Sequence, residues 1–505
     1  MSFPFYPKHE YACPHVNHCP HLGGAGLGSV VFAAAENLQW TDSLLRQMDD
    51  LREKETAQAR IIAEQQERIE QLERELKAER QKQFKATQPD EEVPAGASEP
   101  PTEAKKRGAP VGHPGWFRPT PTTIDRTIDV PSPSCCPHCG AAVKPRPDRK
   151  PYEHVQEDLI DGQPTATCYR HEEGRCTNPK CRLWVHQPGE GEILGAMIGP
   201  QMRARGMFLR FHIGLPYRKV VRAIEGLDSL GFTPAALLGF EKKAAERARP
   251  LAYDVAKKLR ACEVTHADET HYTIDGKPAQ AWFHGNEHLA HFYICGTRSG
   301  KISRKILGED YAGGLVMDCY AGYDRHATKI KQRCLQHLKR SAKEWRKVTP
   351  EKAVVSRQFF NDVAAWVKRG CRWYRRRKTN SPAEQEREAA WLRSEQARLE
   401  SVVLDAKKAR TLQGRIRRYS KEWLTFLDHP GVPPTNNLAE QAVRFLVILR
   451  KLTFGSRTRA GARRTGAMLT VIQTAKRQGR DVIQFLVALF TLSPNEAARA
   501  MYARC

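Results

Sequence analysis

Three carboxylates, Asp268 in "CEVTHADET", Asp318 in "GGLVMDCYAGYD" and Glu440 in "TNNLAEQAVRFLVILRK", are the residues whose placement points most directly to chemistry. Brought together, they form a cluster of like charges, which is costly unless cations neutralise it. Two Mg2+ or Mn2+ ions about 3.5–4 Å apart would do so, activating a water or a 3′-hydroxyl and stabilising the leaving oxygen of a phosphodiester. None of the three sits among thiolates, so the oxygen set suits Mg2+ or Mn2+ rather than zinc. Each also has a plainer reading. Asp268 could close a strand, Asp318 could start a turn, and Glu440 could complete a capping box with Asn437.

The elements needed to position them are visible in the pattern. Residues 262–270 alternate like a short strand that stops at Asp268, and "QAWFHG" and "AHFYICG" follow as two more strands about the turn "NEHL". "GGLVMD" is a fourth apolar run, ending at Asp318. Glu440 precedes Val443, Leu446 and Val447 at helical spacing, so it belongs to the first turn of a helix.

A second chemistry is written in cysteine. Cys136 and Cys139 form C-x2-C with Gly140 after the second, and Cys176 and Cys181 form C-x4-C after 36 intervening residues. Four thiolates on two turns are the closed tetrahedral set of a structural Zn2+, so residues 116–190 read as a zinc ribbon, with Cys135 or His138 as alternative ligands. "CPHVNHCPH" (13–21) has ligand types but no second knuckle, and reads as a tail. Cys334 and His337 are half of a zinc pattern. They read better as a packed cysteine and, with Arg340, as residues near the carboxylates.

The remaining signals concern partners. With 82 Lys+Arg against 57 Asp+Glu the formal charge is +25, which favours a polyanion, nucleic acid first. "KRGCRWYRRRK" (368–378) carries Arg375, Arg376, Arg377 and Lys378 for phosphates, and Trp373 and Tyr374 for stacking on an unpaired base. Trp366 and Trp391 read as core. "RKLTFGSRTRAGARR" adds Arg450, Lys451 and Arg457, with Arg444 just before it. In "LPYRKVVRAIEGLDSLGFTPAALLGF" two short helices about Gly231 resemble a helix-turn-helix, with Arg218, Lys219 and Arg222 as its basic residues. A heptad seam from Leu44 to Leu76, seven of ten positions apolar, supports a coiled coil and self-association. Residues 86–115 are too poor in large apolar groups to fold alone and read as a linker. The longest apolar stretch, 482–492, is too short to span a bilayer, so the expectation is a cytoplasmic protein with no membrane partner and reduced cysteines.

Four blocks, "ADET" (267–270), "MDCYAGYD" (317–324), "CLQHLKR" (334–340) and "NNLAEQAVR" (436–444), occur in the order and form of the signature blocks of the insertion-sequence-66 family of transposases, which the chain resembles. "RKLTFGSRTRAGARRTGAMLTVIQTAKRQG" is similar to that family's C-terminal block, and "GAPVGHPGWFRP" with the cysteine turns looks like its zinc-binding region. The resemblance implies a ribonuclease-H-like core with a DDE triad, mapped onto Asp268, Asp318 and Glu440. A helical insertion would account for the 121 residues between the last two. It implies nicking at transposon ends and joining of the 3′-hydroxyl to target DNA without a nucleotide energy source. Cys319 stands where the family usually has Gly, and Gln441 where it has Arg; neither removes a carboxylate.

The expectation is therefore a multi-domain α/β protein: tail 1–40, coiled coil 41–85, linker 86–115, zinc ribbon 116–190 and helical DNA-binding segment 191–258. A ribonuclease-H-like core would follow at 259–343 and 426–505, split by a basic helical insertion at 344–425. Its cofactors would be Mg2+ (or Mn2+) and structural Zn2+. Its partners would be transposon-end and target DNA and a second copy of the chain, with helper proteins of the same element as a further candidate. Two rivals remain: a metal-dependent nuclease or recombinase that cuts without joining, and a zinc-containing DNA-binding repressor that does not cut.

Overall fold

The computed structural model describes residues 118–502 and scattered positions between 49 and 71. The chain divides into two compact units, Met1–Pro89 and Asp90–Cys505. In the first, the described positions are helical and exposed, Leu51 among them. Most of the expected seam (Leu44, Met48, Ile62, Ile69, Leu72, Leu76), the Cys/His tail and the linker lie outside the described residues.

The second unit opens with β1 (Arg126–Val130), β2 (Val143–Pro145), β3 (Tyr152–Ile160), β4 (Gln163–His171), β5 (Gly174–Cys176) and β6 (Trp184–Val185). They form two three-stranded sheets, ordered β1-β4-β3 and β2-β5-β6. The β3–β4 hairpin turns at Asp161-Gly162, both at positive φ, the backbone a two-residue hairpin needs.

Three helices follow: α1 (Pro200–Phe208), α2 (Tyr217–Asp228) and α3 (Pro234–Leu259). Asp158 of β3 accepts from Gln201 N (3.0 Å) and Met202 N (2.7 Å), satisfying donors that the start of α1 leaves open. The helix after Gly231 is not the short one expected. It runs 26 residues, and Leu237, Ala244, Ala245, Ala248, Leu251 and Val255 bury one face in the main core. Its length was hidden from the sequence because Ala-rich faces are weak in hydrophobic contrast.

The central sheet holds β7 (Val264–Ile274), β8 (Lys277–Gly285), β9 (Ala290–Cys295), β10 (Gly314–Met317) and β11 (Lys331–Arg333), in the order β11-β10-β7-β8-β9. β7, β8 and β9 are an antiparallel meander, while β10 and β11 run parallel to β7. The short α4 (Lys301–Leu307) connects β9 to β10. β7 does not stop at Asp268. It continues to Ile274 and turns at Asp275-Gly276, again both at positive φ.

Between β11 and the final helices lie α5 (Leu335–Lys347), α6 (Val354–Arg376), α7 (Pro382–Ser401), α8 (Lys407–Arg418) and α9 (Thr425–Asp428). They bury a core of their own, with Phe359, Trp366, Leu392, Leu412, Trp423 and Phe426, and Leu335 and Leu338 of α5 belong to it. The chain then returns to the sheet with α10 (Asn437–Thr453), α11 (Arg459–Arg477), α12 (Val482–Thr491) and α13 (Pro494–Met501). α11 covers the edge strand β9: Thr470 Oγ1 accepts from Phe292 N (2.9 Å) and Thr474 Oγ1 from Ala290 N (3.2 Å). The edge is thereby closed to pairing with another strand. Among the described residues no helix is long and apolar enough to cross a membrane.

Candidate functional site

Strand register brings the two aspartates together. β10 pairs with β7 as Gly314↔Val264, Leu315↔Thr265 and Val316↔His266, and continuing that offset sets Asp318 level with Asp268. Neighbouring strands lie about 4.8 Å apart, and residues two apart share a face, so both side chains leave the same side as His266. β10 has ended by then, so Asp268, although in mid-strand, stands at an open step beside a strand terminus.

α10 is tied to this face at its N-cap. The fully buried Asn436 side chain donates from Nδ2 to Ala267 O (2.8 Å), and its Oδ1 lies 2.9 Å from His266 Nδ1. Its backbone N–H points at Cys334 Sγ (3.2 Å). Glu440 therefore lies one helical turn beyond that tether, near enough for its charge to act on Asp268. The capping box considered for Asn437 and Glu440 is not formed: the helix begins at Asn437, its cap is Asn436, and no side chain accepts from its first turn. Ser381 with Glu384 and Ser493 with Glu496 do form that box elsewhere in the chain.

Each aspartate has one oxygen held by a nearby amide. Asp268 Oδ1 accepts from Glu269 N (2.9 Å) and Asp318 Oδ1 from Tyr320 N (2.8 Å). Burial, then the charges of Asp318 and Glu269, push Asp268 up to about 8, with Glu440 adding to them and the Glu269 amide opposing. All three carboxylates are half-buried. Around Glu440 lie Cys334 Sγ (3.8 Å), His337 Nδ1 (3.7 Å) and an Arg340 guanidinium nitrogen (3.6 Å). Burial pushes the Cys334 thiol up to about 12, and its Sγ, a His337 ring nitrogen and a Glu440 oxygen lie within 4.8 Å of one another, so the carboxylate does have a sulfur neighbour.

Two supporting residues carried no sequence signal of their own. Glu269, next to Asp268 but facing the other way, ends in an ion pair with Arg298 (2.7 Å) and accepts from Tyr323 Oη (2.6 Å). Arg333, fully buried, donates to Asp318 O (2.9 Å) and pairs with Asp324 and Glu422, both at 2.6 Å. A buried arginine so engaged fixes the turn that carries Asp318.

The four cysteines converge at one end of the β2-β5-β6 sheet. Cys136 and Cys181 sulfurs are 3.9 Å apart, Cys139 and Cys176 sulfurs 3.4 Å, and all four lie within 4.8 Å of one another. The set could hold a zinc ion. Cys135 and His138 are exposed and outside it. The Ala141 amide, then the Cys176 thiol, lower Cys139 to about 7, while burial pushes Cys176 up to about 12, so the thiols of the set differ in how readily they ionise. Among the described residues only Val143, Val185 and Ala141 pack around the sulfurs, a core too small to hold three short strands by itself.

The expected DNA contacts separate by exposure. Arg218, Lys219 and Arg222 are exposed on α2, as are Arg375, Arg376 and Lys378 around the end of α6, and Arg444, Lys451 and Arg457. Arg377 stacks on Tyr374 (3.6 Å to the ring centroid), and Arg450 is half-buried. Trp373 is not available to a base: its ring is buried against Phe426, and Nε1 donates to Gln385 O (3.1 Å). Trp366 lies in the core as expected, and half-buried Trp391 is covered by Arg369.

No curated protein matches the chain. A family model described as "Transposase IS66 family" matches residues 195–464, just over half of its 505 residues. That span runs from the start of α1 into α11 and contains the β7–β10 step, the inserted helices and the first turn of α10. The chain belongs to the IS66 family of transposases.

Proposed function

We propose that this transposase cuts the ends of its element and joins the freed 3′-hydroxyl to target DNA by two-metal phosphoryl transfer, with Asp268, Asp318 and Glu440 as the metal-holding carboxylates of a ribonuclease-H-like core. The observation that carries the reading is the side-by-side placement of half-buried Asp268 and Asp318 at the β7–β10 step, with the helix that bears Glu440 tethered to β7 by Asn436 and its charge acting on Asp268. The strand order, an antiparallel meander joined by two strands parallel to its first, agrees with such a core.

In this reading the amides of Glu269 and Tyr320 orient one oxygen of each aspartate and leave the other to a cation. Glu440 would complete the set when metal is bound. Bound Mg2+ or Mn2+ would favour deprotonation of the attacking water or hydroxyl and stabilise the leaving oxygen. Arg340 and His337, loosely held near Glu440, are placed to meet a DNA phosphate. In joining, the 3′-oxygen forms a bond to phosphorus as the bond to the target's own 3′-oxygen breaks, so phosphodiesters are conserved and no nucleotide is consumed. The four cysteines hold a structural Zn2+ that staples the β2-β5-β6 sheet.

The test is Mg2+-dependent cleavage and joining of element-end DNA by wild type and Glu440→Gln, followed together with thermal unfolding. Gln keeps the side chain's shape but is a poor ligand, so both reactions should fall at least about 100-fold with the melting temperature unchanged. Retained joining would remove Glu440 from the triad. Metal-dependent cutting by wild type without joining of pre-cut ends would favour a nuclease.

A further inference from the structure

A second group of ligand-type side chains lies apart from the cysteines and from the carboxylates, in the β1-β4-β3 sheet. His154 on β3, His171 at the end of β4 and Glu192 in the segment leading to α1 are all buried, and their ligand atoms lie within 4.8 Å of one another. His154 Nδ1 is 2.5 Å and His171 Nε2 3.0 Å from the same oxygen, Glu192 Oε1. The other oxygen accepts from Gly189 N (2.7 Å), which fixes the direction of the carboxylate. A further imidazole, His186, lies against His171 with ring centroids 5.2 Å apart.

We propose that His154, His171 and Glu192 bind a second zinc ion, distinct from the cysteine set, with His186 or a water as the fourth ligand.

Charge and geometry both favour a cation here. Glu192 has a side chain with no exposure, and its ion-pair partners among the described residues are the two imidazoles. Three buried donors from three segments converge on one point, where the carboxylate supplies negative charge and the imidazole nitrogens supply neutral donors to a divalent cation. Two imidazole nitrogens and one carboxylate oxygen make a set that zinc takes at about 2.0–2.2 Å, and ligands at that radius sit somewhat over 3 Å apart. The present separations reach that spacing by opening less than about 1 Å.

The place also suits a staple. The three residues join both strands of the hairpin to the segment that enters α1, whose first amides Asp158 of the same hairpin already holds. A sheet of three strands with few large apolar residues gains most from such a cross-link.

The test uses the full-length chain with His9, His15, His18 and His21 replaced by Ala, which removes the imidazoles of the tail. Zinc per chain is measured by mass spectrometry of the metal for this background and for Glu192→Gln within it, and Co2+ is titrated into both after metal removal. The thiolate-to-cobalt charge-transfer band reports the cysteine site, and a histidine–carboxylate site does not contribute to it. Glu192→Gln should hold one zinc fewer and keep the full band. Equal zinc in the two proteins would overturn the proposal. Should Glu192→Gln lose the band as well, the background protein alone decides. One equivalent of Co2+ taken up with no growth of the band supports the site, and uptake that always follows the band sinks it.

Discussion

Asp268 is where burial and like charge conflict most. An aspartate raised to about 8 in the fold, against an ordinary value of 3.8, binds a proton that the unfolded chain has already lost between those two values. The native state holds more protons there, so the metal-free protein loses stability as pH rises from about 4 and reaches its floor above about 8. Asp268→Asn removes the conflict. In chelator at pH 8 it should unfold about 3–5 °C higher than wild type, and at pH 4 the difference should vanish. Equal melting at both values would show that Asp268 is solvated well enough to ionise freely. Added Mg2+ should raise wild-type melting at pH 8 and leave Asp268→Asn unchanged, because a cation then has to replace the proton.

At the scale of elements, the site depends on how α10 is set onto β7, and Asn436 is the joint. Asn436→Ala leaves Ala267 O and His266 Nδ1 buried without their partner, which costs about 2–3 kcal/mol. It should also lower joining by more than it lowers DNA binding, because the helix that carries Glu440 loses its tether to β7. Ser381→Ala is the contrast: it opens a real capping box at the start of α7, should cost about 1 kcal/mol, and should leave joining intact. If both variants reacted alike, the tether would have no role beyond stability. The legibility of the elements follows the same physics. The turn "NEHL", the four apolar runs and the start of α10 could be read because turn chemistry and periodicity are local. The extension of β7 past Asp268 was hidden, since "THYTI" is half polar and gains its place from pairing with β8. Glu440's freedom from a capping box was hidden too, because Asn436 turns its side chain to the sheet, a tertiary choice that local sequence does not encode.

Over the second unit as a whole, the positive charge has to be assigned to places before it can mean DNA. The exposed cations of α2 and those around the end of α6 belong to different cores, the first to the core of the sheet, the second to that of the inserted helices. Net charge alone does not distinguish them, and neither does the sequence run 368–378, in which Trp373 turned out to be packing. Salt dependence can. Removing one cation that neutralises a phosphate should reduce the slope of log K against log salt by about 0.9 on duplex DNA. Replacing Arg375, Arg376 and Lys378 together with Ala should therefore lower the slope by about 2–3 if the inserted helices lie on DNA, and leave it unchanged if they are a solvated face. The same replacement of Arg218, Lys219 and Arg222 reads the α2 surface independently. If both triples touch one DNA, their effects on the slope should add, since the two sets share no partner. If only one lowers the slope for element ends while the other lowers it for unrelated target DNA, the two cores divide the two DNA partners between them.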